Sequence, residues 1–344
     1  MKNKLAELVG VTGRSITAYE AGESEPSETT VDALASTLGF PKEFFSAPDT
    51  DEPIPGAASF RALTKMTAAQ RDAALAAGAL AVELGAWVHA RFKLPRVDVP
   101  DLRDHDPEAA ADALRARWGL GERPVGNMVH LLEAMGVRVF SLAEQCLEVD
   151  AFSMWREDCG YVFLNTQKSA EHGRFDAAHE LGHLVLHRHG GPRGREAELE
   201  ANRFASAFLM PRGSVLAVAP KFVTVDTLVQ LKSAWAVSVA ALAHRLRSLE
   251  LLTEWHYRSL CIEIAQRGYR KTEPRGVARE TSMVFKKVFD ALRAEGITKT
   301  HIARDLHLQA ADVEALVFGL VLTPIDGGGH PSPARSGSTL RLVK

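Results

Sequence analysis

The 344-residue chain is poor in the features of secreted or thiol-dependent proteins. It has three cysteines, Cys146, Cys159 and Cys261, widely spaced and without a CxxC pair. This argues against a disulfide framework and a thiolate metal site and fits a reduced cytoplasm. Long hydrophobic runs are also missing. The longest apolar stretch, Ala73 to Val82, is broken at Glu83, short of the roughly 20 residues that a membrane span needs. The opening MKNKLAELVG carries charge where a signal peptide requires an apolar core, so the expectation is a cytoplasmic protein that does not engage a membrane. Nor is there an excess of one charge. A formal net charge of −2 gives no global attraction to nucleic acid, so any DNA contact has to come from a local surface.

What is present is ordinary globular composition, 46% apolar and 24% charged, with length for two or three domains. Residues 1–46 read as short helices between turns. Leu5, Leu8 and Val9 share a face, Gly10 turns the chain, Thr12 caps a second helix, and a third carries Val31, Leu34, Ala35 and Leu38. Residues 47–60 form an acidic, proline-rich linker. The segment 61–95 is a long connecting helix, opened by a Thr67–Gln70 capping box. Residues 96–250 read as the central domain, with strand candidates at 137–140, 149–155 and 161–165. Their close spacing predicts a small antiparallel sheet. A helix over about 173–189, stopped by Gly190-Gly191, is followed by another over about 195–210. Residues 251–324 read as a C-terminal helical, helix-turn-helix-like domain, and 325–344 as a disordered tail. The predicted class is α+β, mostly helical.

The chemistry concentrates in His179-Glu180-Leu181-Gly182-His183. Histidines at i and i+4 lie on one face of a helix, close enough to share one metal ion. Glu180, beside the first, is placed to act as general base on a water at the metal, and Zn²⁺ suits neutral nitrogen ligands with one position left open. A third ligand is required. His187 sits eight residues beyond His179, about 12 Å along the helix axis, so it serves better in supporting a ligand or the fold than as a ligand itself. The spacing HExxHxxGxxH is absent, which argues against the metzincin type. The next helix offers carboxylates, and Glu200 at the edge of its apolar face is selected, giving a His₂Glu set. Glu196 and Glu198 remain open, because helix boundaries read from sequence shift by a few residues.

Several separated runs occur in one order: Arg174-Phe-Asp-Ala-Ala-His-Glu-Leu-Gly-His183, Leu186-His187, Glu200-Ala-Asn-Arg-Phe-Ala and Leu209-Met-Pro211. Together with Tyr161-Val-Phe-Leu-Asn165 upstream and Trp235-Ala-Val-Ser-Val-Ala-Ala-Leu-Ala-His-Arg-Leu246 downstream, they resemble the ImmA/IrrE metallopeptidase family over roughly residues 100 to 275. The resemblance implies a compact gluzincin-like fold, zinc on His179, His183 and Glu200, and Glu180 as the water-activating base. It also implies endopeptidase action on a protein substrate, often a DNA-binding repressor. Tyr161 and His187 are two candidates for stabilising an oxyanion.

The run Asn3 to Gly22 resembles the XRE-type helix-turn-helix. The resemblance implies that Thr12, Arg14, Ser15 and Thr17 face the groove of double-stranded DNA, while Ile16 and Tyr19 pack inward. The match is incomplete, since the family's first helix would lie about 15 residues upstream of this point. Residues 1–46 carry four basic and seven acidic side chains, a sparse charge for a DNA surface. Together these readings describe a DNA-associated stress regulator with a zinc endopeptidase, for which a homodimer is compatible. The alternatives are a regulator that uses the metal domain only as a sensor, or an antitoxin-like component.

Overall fold

A computed structural model describes residues 2–47, 58–60, 67–142, 150–188 and 194–321. Most of the expected linker, Val149, the Gly190-Gly191 helix stop and the tail over 325–344 lie outside the described residues. The described residues fall into two compact units, one drawn from 1–51 with 289–316 and one drawn from 52–288 with 317–344.

The first unit opens with α1 (Lys2–Val9), α2 (Gly13–Glu20) and α3 (Glu28–Leu38). Gly10 takes φ +80°, a left-handed conformation that glycine reaches without steric penalty, and reverses the chain between α1 and α2. Thr12 caps α2 by accepting the Ser15 N–H at 3.1 Å, and Ser27 caps α3 by accepting from Thr30 at 3.2 Å, each pairing an otherwise orphaned helix donor. Ala6, Ile16 and Leu34 form the buried centre, with Leu5, Val9, Val11 and Tyr19 packed around it.

The second unit is built around a sheet and a helical layer. The capping box at Thr67 is formed, Thr67 N–H donating to Gln70 Oε1 at 2.8 Å, and it opens α4 (Ala68–Arg91). Over Gln70–Arg91 this helix is long and apolar enough to cross a membrane by length and composition, and 56% of the qualifying window is buried in the fold. The sequence reading counted only its uninterrupted apolar run. Next come α5 (Pro107–Arg117) and α6 (Met128–Ala134), then the strands.

The sheet has the order β1-β3-β4-β2, with β1 (Ala58–Phe60), β2 (Arg138–Ser141), β3 (Ala151–Arg156) and β4 (Cys159–Leu164). It is mixed, not antiparallel as the sequence suggested. The β3–β4 hairpin and the β1–β3 pair are antiparallel, whereas β2 runs parallel to β4. The hairpin accounts for this. It reverses the chain between β3 and β4, so β4 regains the direction of β2, and it is β4, not β3, that pairs with β2.

On this sheet lies α7 (Ala170–Leu186), with α8 (Arg195–Leu209) packed on α7 and on α5; α9 (Arg212–Val218), α10 (Val225–Leu231), α11 (Val239–Ser248), α12 (Glu254–Gln266) and α13 (Met283–Ala294) follow. The apolar faces of α5 to α12 and of strands β2 to β4 form one continuous core that includes Val162, Leu181, Val185, Phe204, Phe208, Trp235 and Leu246. Buried cations tie the surrounding loops to it. Arg115 donates to the carbonyl oxygens of Gly121 and Phe208, and Lys232 Nζ meets Glu171 Oε1 at 3.0 Å and Glu273 Oε1 at 3.4 Å.

The sequence grouped 251–324 as one domain, but the compact units divide it. The helix α12 stays with the second unit, whereas 289–316, with α14 (Lys299–Asp305) and most of α15 (Ala310–Val317), joins the first. Ile302, Leu308, Val313 and Leu316 are buried, and the Gln309 side-chain amide donates to the Gly39 carbonyl oxygen.

Candidate metal centre

The central motif lies in the last turns of α7, which starts at Ser169, whose Oγ accepts the His172 N–H at 3.2 Å. His179, Glu180, Leu181, Gly182 and His183 are all buried. A polar motif survives burial only where its groups find partners; here the two imidazoles meet each other and Glu198, and Glu180 Oε2 meets Ser153. Gly182 is where α7 and α8 touch. A Cβ there would lie 3.0 Å from the Phe204 ring and 3.2 Å from the Ala201 Cα, so the missing side chain is what lets the two helices approach.

That approach brings a carboxylate onto the two imidazoles. His179 Nε2 and His183 Nε2 are 3.0 Å apart. Glu198 Oε2 lies 3.3 Å from the former and Glu198 Oε1 3.3 Å from the latter. The ligand atoms of these three residues all lie within 4.8 Å of one another. Burial alone would raise the Glu198 carboxyl, but hydrogen bonds and charge from His179 and His183 outweigh it and hold it well below the usual carboxylate range.

Glu198 therefore occupies the place that the sequence reading gave to Glu200. The reason is helical phase. Residues two apart on a helix point about 200° apart, so only one of the pair can face α7. Glu198 stands three residues before Ala201 and four before Asn202, which continues the face that meets α7. Glu200 points to the side, where its Oε2 lies 2.9 Å from His187 Nε2. Glu196 is exposed.

Each ligand imidazole is also held at its other nitrogen. His179 Nδ1 is 3.2 Å from Asn202 Oδ1, and His183 Nδ1 is 2.9 Å from His187 Nδ1. Ser153 on β3 donates to Glu180 Oε2 at 2.6 Å. Ser153, Asn202 and the His187–Glu200 pair were not assigned by sequence reasoning. The one available signal was the i, i+4 spacing of Glu198 and Asn202.

Tyr161 is not brought to the centre. Successive strand residues face opposite sides of a sheet. Gly160 on β4 faces α7, since a Cβ there would meet Leu184 at 3.0 Å. Tyr161 therefore faces the other way, stacked on Phe140 with ring centroids 6.2 Å apart. Burial pushes its hydroxyl up to about 12. The second oxyanion candidate, His187, is engaged with His183 and Glu200 instead.

The donor set fits a divalent ion of the zinc type. Bonds of about 2.0–2.2 Å in a tetrahedral site place neighbouring donors roughly 3.3–3.5 Å apart, close to the 3.0, 3.3 and 3.3 Å seen here. Two helical histidines, a carboxylate from the next helix and a glutamate adjoining the first histidine define a metallopeptidase-type centre. The family comparison agrees. Residues 132–247 match the IrrE N-terminal-like domain, a peptidase family, and residues 2–45 match a helix-turn-helix family. No curated protein matches the chain. The protein thus carries an XRE-type helix-turn-helix domain and an IrrE N-terminal-like, metallopeptidase-family domain.

In the helix-turn-helix domain, Thr12, Arg14 and Thr17 are exposed and Ser15 is half-buried, while Ile16 is buried and Tyr19 half-buried. Thr12 also serves as the α2 cap, its Oγ1 lying 2.8 Å from Ser15 Oγ.

Proposed function

We propose that the protein is a cytoplasmic, DNA-associated regulator that uses a zinc-dependent endopeptidase centre to cut a repressor-type protein under stress. One observation carries the reading: His179, His183 and Glu198 converge beside Glu180 within an IrrE N-terminal-like domain. A bound zinc ion would supply a Lewis acid for the scissile carbonyl and lower the pKa of water. The chain's own residues do the rest. Glu180 takes the proton from the attacking water and returns it to the amine nitrogen that leaves. Ser153 fixes one Glu180 oxygen by its 2.6 Å hydrogen bond, so the carboxylate need not reorient as the proton moves. On the exposed side of α2, Arg14 with Thr12 and Thr17 supplies phosphate and base-edge donors.

The test uses the purified full chain, zinc-loaded, incubated with repressors encoded nearby. Wild type should cut one of them, and Glu180→Gln should abolish cleavage while binding zinc as before. Equal cleavage by wild type and Glu180→Gln would overturn the assigned base. Stoichiometric zinc without cleavage of any such repressor would favour a metal sensor instead.

A further inference from the structure

Glu200, displaced from the metal site, and His187, too far along α7 to reach it, form a linear chain with His183. His183 Nδ1 meets His187 Nδ1 at 2.9 Å, and His187 Nε2 meets Glu200 Oε2 at 2.9 Å. A neutral imidazole has one N–H and one lone pair, so each partner dictates where the next proton sits. Glu200, with its side chain 31% exposed, is an acceptor as a carboxylate, so the His187 proton lies on Nε2. That leaves His187 Nδ1 as an acceptor, and the His183 proton must lie on Nδ1. His183 Nε2, the nitrogen facing His179 and Glu198, is then left with its lone pair free for a cation. His187 ends α7 as its cap residue, with its N–H bonded to the His183 carbonyl oxygen at 3.0 Å, so the backbone itself sets this ring beside its neighbour.

We propose that Glu200 and His187 are positioning residues that lock His183 in the Nδ1–H tautomer and so set the affinity of the metal centre; this rests on the metal reading above. Histidine ligands commonly donate their second N–H to a carboxylate or carbonyl. Here a second histidine is interposed, which carries the carboxylate's influence inward from the half-exposed flank of α8. His179 is served separately, its Nδ1 lying 3.2 Å from Asn202 Oδ1.

The experiment is zinc affinity of the full chain by chelator competition, with melting curves as the fold control. His187→Phe, which keeps a ring but removes both nitrogens, should weaken zinc binding roughly 10–100-fold. His187→Gln, whose amide can accept from one side and donate to the other, should recover most of that loss. Glu200→Leu, at a partly exposed position, should weaken binding about tenfold and remains informative if His187→Phe fails to fold. In histidine-labelled, zinc-loaded protein, the exchange-protected Nδ1–H resonance of His183 should vanish in His187→Phe and persist in His187→Gln. Wild-type affinity in both His187→Phe and Glu200→Leu would overturn the proposal, as would a His187→Gln variant no better than His187→Phe. A wild type that binds no zinc would overturn the metal reading and this one with it.

Discussion

At the residue scale, the pentapeptide was legible and its supports were not. The meeting of His179 and His183 follows from helical periodicity alone, because i and i+4 share a face. The choice between Glu198 and Glu200 could not be made that way, since it depends on the phase of α8, and phase is set by packing. Ala201 against Gly182 fixes it. Ser153 was invisible for a different reason. It reaches Glu180 from 27 positions away in sequence, and no local pattern links a strand serine to a helical carboxylate. Its role is nevertheless measurable. Ser153→Ala should lower kcat roughly tenfold, a loss of about 1.4 kcal/mol, with KM and zinc affinity unchanged. An unaltered kcat would show that Glu180 holds its geometry without the hydroxyl.

At the element scale, the helices were read well, because their caps are written locally: Thr12 and the Thr67–Gln70 box both act as the sequence suggests. The sheet was read less well. Three strands in succession suggested a meander, but pairing order is a tertiary choice, and β2 joined β4 rather than β3. Two element contacts carry quantitative consequences. Gly182 allows α7 and α8 to meet, so Gly182→Val should destabilise the domain by about 1–3 kcal/mol through overpacking, seen as a lower Tm, and should weaken zinc binding by moving Glu198 away. Lys232 is fully buried between Glu171 at the start of α7 and Glu273. Lys232→Met should cost about 3–5 kcal/mol, because it leaves two buried carboxylates without their cation. Denaturant unfolding reads this directly. A change under about 1 kcal/mol would mean that the carboxylates find other partners.

At the scale of the whole molecule, the sequence separated a helix-turn-helix segment from a metallopeptidase domain, and the family matches fall on the same two regions. It did not reveal that residues 289–316 group with the N-terminal helices, because that association links segments some 250 positions apart, as in Gln309 with Gly39. On the reading proposed above, a chain holding both a helix-turn-helix domain and a metallopeptidase-family domain would bring hydrolysis to a protein bound at the same DNA. All of it depends on one ion held by His179, His183 and Glu198. The most direct test is metal analysis of the purified full chain beside Glu198→Ala. Wild type should hold one zinc per chain, and Glu198→Ala should lose it under mild chelation while keeping its fold. Equal zinc retention by the two proteins, or none in wild type, would contradict the account.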